Sequence, residues 1–342
     1  MQEIFQVVTS SMNSIKELEP IIVVRLSELY DDNNFEDPIP VVKGLINKSE
    51  FHLCSATAKT GKTLLQLNLV RAVAKGERFL GEFETTKGKI LVIQTEVSNS
   101  NLRTRIKHIF GEDITDIEDS VFFVNQRLKI DTPEGLDSLK GLINDLKPDL
   151  VILDPFYTLH TKNEDSSTDI APILSDLREV VIGTDVALLM IHHQGKSREN
   201  GSQTGNKHRG SSSFADAPDG SWSLQRSGAS DFLTLNFEMR NIEAPGPYQV
   251  KMDKENLRFT ITQKIKEANN GISFDDITEF VSEKPNLTAT QLKEQMAQMY
   301  DVSTKTIANK LIDAVNGGIL HRKKEGRVIK YSLITKQTEQ KF

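Results

Sequence analysis

Two periods of hydrophobic spacing divide this chain. Between about residue 41 and residue 191, short apolar runs alternate with longer stretches of helical spacing. The runs Phe51–Ser55, Lys89–Thr95, Ser120–Val124, Asp149–Leu153 and Ala187–Ile191 have strand length. Between them, Leu64–Ala74, Leu102–Phe110, Pro133–Leu146 and Ile170–Ile182 predict helices. The third of these has Thr132 as N-cap and Pro133 at its first position. Strands apolar on both faces and separated by helices predict a parallel sheet covered on both sides. Gln194–Ser213 then has no apolar residue and is rich in Gly, Ser, Asn and Lys. It predicts a loop. Trp222–Gln225, Phe232–Met239, Tyr248–Met252 and Arg258–Thr262 alternate with period two and predict antiparallel strands added at one edge.

The last 70 or so residues follow a different order. Phe274–Val281, Thr288–Met299 and Ser303–Val315 predict three helices, the last with Ser303 as N-cap and Gly317 as its stop. Ile319–Lys324 and Val328–Ile334 predict a hairpin through Glu325-Gly326. Three helices followed by a hairpin predict a winged helix-turn-helix. The expected division is an N-terminal arm over 1–40, an α/β domain over 41–263 and a winged-helix, DNA-binding-like domain over 264–342. The first segment predicts a helix or two, or an arm that packs on a neighbour.

Charge separates the last domain from the rest. The 342 residues carry a net charge of -6, but residues 264–342 sum to +3 and the remainder to -9. A mildly basic tail on an acidic body permits nucleic-acid binding by the tail. The single cysteine, Cys54, excludes an internal disulfide framework. The N-terminus lacks the basic and apolar regions of a signal peptide, and no apolar run approaches bilayer length. A soluble, cytoplasmic protein is expected, with no membrane partner.

The chemistry concentrates where the apolar runs end. Ala56-Thr57-Ala58-Lys59-Thr60-Gly61-Lys62-Thr63 follows a strand and opens a helix, the setting that a phosphate-binding loop requires. Backbone N–H groups there cradle phosphates, Lys62 adds a cation, and the Thr63 hydroxyl ligates Mg²⁺. Asp154 closes an apolar strand and is the expected second Mg²⁺ residue. Glu96 closes Ile90–Thr95 and is placed to activate the attacking water. His192 and His193 point to opposite faces of a strand and so do not share one metal. At the sheet end, His193 or Gln194 is placed to sense the terminal phosphate.

These segments, with Gly88–Glu96, His192-His193-Gln194-Gly195-Lys196 and Arg209-Gly210-Ser211-Ser212, resemble the RecA-like ATPases of the hexameric RepA helicase type. The resemblance covers about residues 40–262. It implies a hexameric ring with ATP between neighbours, translocation on single-stranded DNA, and Glu96 as catalytic base. Replicative helicases of this superfamily carry a Lys-x-Arg pair that reaches the neighbour's terminal phosphate. Here the matching segment reads Glu238-Met239-Arg240, so Arg240 is the expected finger, with Arg209 second. The resemblance lines the central channel with the loops after Asp154 and His193. The second carries Lys196, Arg198, Lys207 and Arg209, cations suited to backbone contact. In the C-terminal domain, Lys305, Asn309 and Lys310 on the third helix, and Arg322, Lys323, Lys324 and Arg327 on the hairpin, are the expected contacts to duplex DNA.

Overall fold

The structure, a computed structural model, describes residues 23–31, 37–56, 59–193, 212–226, 231–265, 272–300, 302–326 and 328–334. Two units are distinguished, 1–39 and 40–342. The described part of the first holds a one-turn helix, α1 (Leu26–Leu29). The Glu28 carboxylate accepts from the Arg25 backbone N–H at 2.9 Å at its start.

The second unit runs β1 (Pro40–Val42), β2 (Ile46–Asn47), β3 (Phe51–Ala56), α2 (Lys62–Lys75), β4 (Ile90–Gln94), α3 (Asn99–Phe110), β5 (Val121–Val124), α4 (Pro133–Leu146), β6 (Leu150–Asp154), α5 (Ser167–Thr184), β7 (Ala187–His193), α6 (Ser213–Asp216), β8 (Gly220–Arg226), β9 (Phe232–Met239), β10 (Tyr248–Met252) and β11 (Phe259–Lys264). Nine strands form one sheet in the order β11-β10-β9-β8-β3-β7-β6-β4-β5. Alternate side chains of β3 serve opposite faces. Cys54 and Ala56 join a core with α2 and α3, whereas Phe51 and Leu53 join a core with α4 and α5. Caps fix the helix starts. Thr132 accepts from the Gly135 N–H at 3.2 Å with Pro133 at the first position, as the sequence predicts.

One strand departs from expectation. β8 was expected to be antiparallel to its neighbours, but it runs parallel to β3, with His52 opposite Gly220 and Ala56 opposite Leu224. Only its partnership with β9 is antiparallel. The reason is the connection. The 26 residues between His193 and Gly220 are long enough for the crossover that parallel pairing needs. The P-loop strand is therefore flanked by β7 on one side and β8 on the other. Gly220 is required at the start of β8, since a Cβ there would lie 2.4 Å from the His52 ring.

The C-terminal segment holds α7 (Phe274–Glu283), α8 (Ala289–Met299), α9 (Thr304–Asn316), β12 (Leu320–Glu325) and β13 (Val328–Leu333). A separate core of Ile277, Phe280, Leu292, Met296, Ile307, Leu311 and Tyr331 joins them. Ser303 caps α9, accepting from the Thr306 N–H at 3.0 Å. Gly317 is not the left-handed stop: its φ is -78°, and Gly318 takes φ +67° instead. β12 and β13 pair antiparallel from Leu320–Leu333 to Glu325–Val328. Among the described residues, no helix is long and apolar enough to cross a membrane.

Candidate nucleotide site

Because β3, β7, β6 and β4 are neighbours and all parallel, their C-terminal ends meet at one edge of the sheet. That edge collects the phosphate loop, His193, Asp154 and, two residues beyond β4, Glu96. The loop itself leaves β3 at Ala56. Thr57 and Ala58 lie outside the described residues. Lys59 and Gly61 both take left-handed backbone angles, φ +62° and +104°. Gly61 meets two demands, for that angle and for space: a Cβ there would sit 3.2 Å from the Phe259 ring. It caps α2, so the first free N–H groups of that helix face the loop. Lys62 is 7% exposed, and its ammonium donates to the Ala56 carbonyl at 2.8 Å across the loop's mouth. Burial pulls its pKa below the usual lysine range, while Cys54, Asp154 and Glu96 oppose that shift.

Asp154 is 2% exposed at the end of β6, opposite Gln94 of β4. Burial pushes its carboxyl up to about 7, although a hydrogen bond with the Thr63 side chain works the other way. Its second oxygen, Oδ2, is buried with no hydrogen-bond partner among the described residues. A desolvated carboxylate with an open lone pair next to a helix-start hydroxyl is a donor set suited to a hard divalent cation. Thr63 and Asp154 therefore fit Mg²⁺, which when bound would neutralise phosphate charge.

Glu96 is largely solvent-facing, and its carboxylate lies 3.8 Å from His193 Nε2. Burial, followed by Lys62, lowers the His193 pKa, with Glu96 opposing. The ring thus favours the neutral form at pH 7, able both to donate and to accept. His192, one residue earlier, is turned inward, 1% exposed and stacked on Phe214 with ring centres 4.3 Å apart. The two imidazoles do face opposite sides of the strand. Gln194, Lys196, Arg198, Lys207 and Arg209 lie outside the described residues.

Arg240 is placed elsewhere. β9 runs antiparallel to β8, so Met239 pairs with Gly220, opposite the first residues of β3. Arg240 therefore sits at the far end of the sheet from Lys62. Its Nη2 donates to the Asp216 carbonyl, and its Nη1 lies 3.8 Å from Asp219 Oδ1. Within one chain it is remote from the phosphate loop.

Arg226 is the residue that sequence reading missed. It ends β8 on the phosphate-loop side, and its Nη2 donates to the Lys59 carbonyl at 3.2 Å. The available signal was an arginine at the end of a strand pattern, just before the small residues Ser227-Gly228-Ala229-Ser230, but its position depends on the parallel direction of β8. In the C-terminal segment, Lys305 and Asn309 are exposed on α9, and Arg322, Lys323 and Lys324 are exposed on β12. Lys310 is half-buried with its ammonium 5.4 Å from the centre of the Phe274 ring, which fixes it against α7. Arg327 lies outside the described residues.

No curated protein matches the chain. A family profile described as an AAA domain does match, over residues 23–199, just over half of the 342 residues. The match contains the phosphate loop, Glu96, Asp154 and the His193 strand end, the groups that meet at one edge of the sheet. With its loop, its helix-start hydroxyl and its buried acid in place, this chain belongs to the AAA domain family of nucleotide-binding P-loop ATPases.

Proposed function

We propose that the protein is an ATP-hydrolysing, DNA-dependent motor that works as a ring, with single-stranded DNA in the channel. The observation that carries this reading is the gathering of Lys62, Asp154, Glu96 and His193 at one sheet edge, from which the loops after Asp154 and His193 also leave. Lys62 and the N–H groups of α2 hold the phosphates. Thr63 and Asp154 hold Mg²⁺. Glu96 takes a proton from the attacking water, and a neutral His193 reports the terminal phosphate to the segment that follows it. Arg240 then acts on the site of a neighbouring subunit, in keeping with its distance from its own.

The test is ATP turnover with and without single-stranded DNA, with the oligomer mass measured in the same sample. The reading expects stimulation by DNA in a hexamer-sized species. Turnover indifferent to DNA in a monomer sinks it. A second reading is a DNA-binding regulatory ATPase whose cycle only switches assembly. Its support is the C-terminal segment of three helices and a hairpin, where α9 and β12 present Lys305, Asn309, Arg322, Lys323 and Lys324 to solvent; read as a winged helix, that segment would suit duplex DNA. Mixing Arg240→Ala with Lys62→Ala subunits separates the two. Recovery of turnover in mixed oligomers supports a finger in trans, since the intact Lys62 of an Arg240→Ala subunit then meets the intact Arg240 of a Lys62→Ala neighbour.

A further inference from the structure

We infer that Glu164 is a positioning residue for hydrolysis, acting through β7 to fix His193 against Glu96. The inference rests on the ATPase reading above, with Glu96 as base. Glu164 belongs to the segment between Asp154 and α5. Its Oε1 lies 3.6 Å from His160 Nε2 and 3.5 Å from His192 Nδ1. Both imidazoles are almost fully buried, at 4% and 1% exposed, whereas Glu164 keeps a fifth of its side chain in solvent. Burial alone would raise the Glu164 carboxyl. The facing rings outweigh it and bring the group down to about 2, so it is an anion at every working pH.

The rings are themselves packed into a box. His160 lies against Phe156 with centres 4.4 Å apart, His192 is stacked on Phe214, and Phe156 meets Phe214 edge-on at 5.8 Å. Three chain segments meet there: the loop after Asp154, the end of β7, and α6. The loop is not free to drift. Lys129 donates to the Thr158 and His160 carbonyls at 3.1 and 3.2 Å, and Asp131 accepts from the Thr161 N–H at 3.0 Å and from its hydroxyl. The Glu164 carboxylate thus stands between His160 and His192, at ion-pair distance from both rings and without a hydrogen bond to either, on a loop fixed at His160 and Thr161. Strand geometry sends the next residue, His193, to the opposite face, where its Nε2 meets Glu96. Moving His192 therefore moves His193. Tyr157 of the same loop meets His193 from its own side, with ring centres 5.4 Å apart.

Small displacements of reacting groups cost rate rather than affinity. Glu164→Ala is therefore expected to lower kcat about tenfold or more while KM for ATP stays within about twofold. Glu164→Gln, which keeps the length and one acceptor oxygen, recovers part of the loss and serves if the Ala variant does not fold. The decisive comparison is a double-mutant cycle. If Glu164 acts through His193, Glu164→Ala/His193→Ala turns ATP over no more slowly than His193→Ala alone. Multiplied losses overturn the inference, as does wild-type kcat in both Glu164 variants, or a kcat loss matched by lost ATP affinity. Glu96→Gln in the same series separates the two failures: normal turnover there refutes the base assignment on which the inference rests, whereas lost turnover there with wild-type kcat in the Glu164 variants refutes the inference alone.

Discussion

The two ends of the central sheet each carry an aspartate drawn back from solvent, Asp154 buried and Asp219 part-buried, and the two are treated in opposite ways. Asp219, at the N-terminal end of β3, is saturated. Its Oδ2 accepts from the Phe51 N–H at 2.9 Å and from Arg178, and its Oδ1 lies 3.8 Å from Arg240. Asp154, at the other end, keeps Oδ2 without a partner among the described residues, and its carboxyl is raised to about 7. A buried charge is tolerated only when paired, so the satisfied aspartate reads as architecture. The unsatisfied one is held ready for a ligand that completes it.

The largest test of this contrast is Asp154→Asn. It is expected to lower hydrolysis by about 10³-fold or more, since the metal loses a charged ligand. In the same protein, apo Tm at pH 8 should rise by several degrees, because a strained anion has been removed. The sign follows from linkage: a group with a raised folded pKa contributes stability below its unfolded pKa and loses it as pH climbs through about 7. A fall in apo Tm would contradict the strain argument. Asp219→Ala should do the reverse. It leaves the Phe51 N–H without its acceptor and Arg178 with only the Ala217 carbonyl, so chemical denaturation should report a loss of about 2–3 kcal/mol. Turnover per folded molecule should stay near normal.

Titration supplies a smaller effect. With a carboxyl pKa of about 7, Asp154 is about nine-tenths protonated at pH 6. The apparent Mg²⁺ affinity of the nucleotide complex should then drop several-fold from pH 8 to pH 6, measured by metal titration of bound fluorescent nucleotide. A flat profile would mean that Asp154 does not compete for protons there. The smallest effect is on stability in Arg240→Ala. Half of that side chain is solvent-exposed, so its contact with Asp219 should be worth under about 1 kcal/mol. A larger loss in denaturation would make Arg240 part of the Asp219 anchor.

Most of the nucleotide site was legible in the sequence because each member ends an apolar run, and parallel strands bring such ends together. That rule brings Ala56, Asp154 and His193, which end their strands, and Glu96, two residues past β4, to one sheet edge. The rule fails for β8. Its period-two pattern is the same for parallel and antiparallel pairing, and direction is decided by the length of chain before it. Arg226 was missed with it. Glu164 was missed for another reason: its partners His160 and His192 are brought together by a loop turn and a strand, and neither contact leaves a spacing signature. Arg240 could be placed on its strand, but the sheet end it occupies depends on the same β8 direction.

The placement of β7 and β8 on either side of β3 has a mechanical consequence. The connection between them leaves the sheet at the His193 end and re-enters at the Gly220 end, so tension along it draws the two strands past β3 in opposite directions. Both ladders are then loaded in shear, where many backbone bonds share the force, rather than peeled one bond at a time. The strand under the phosphate loop is a stiff strut between two anchored cables.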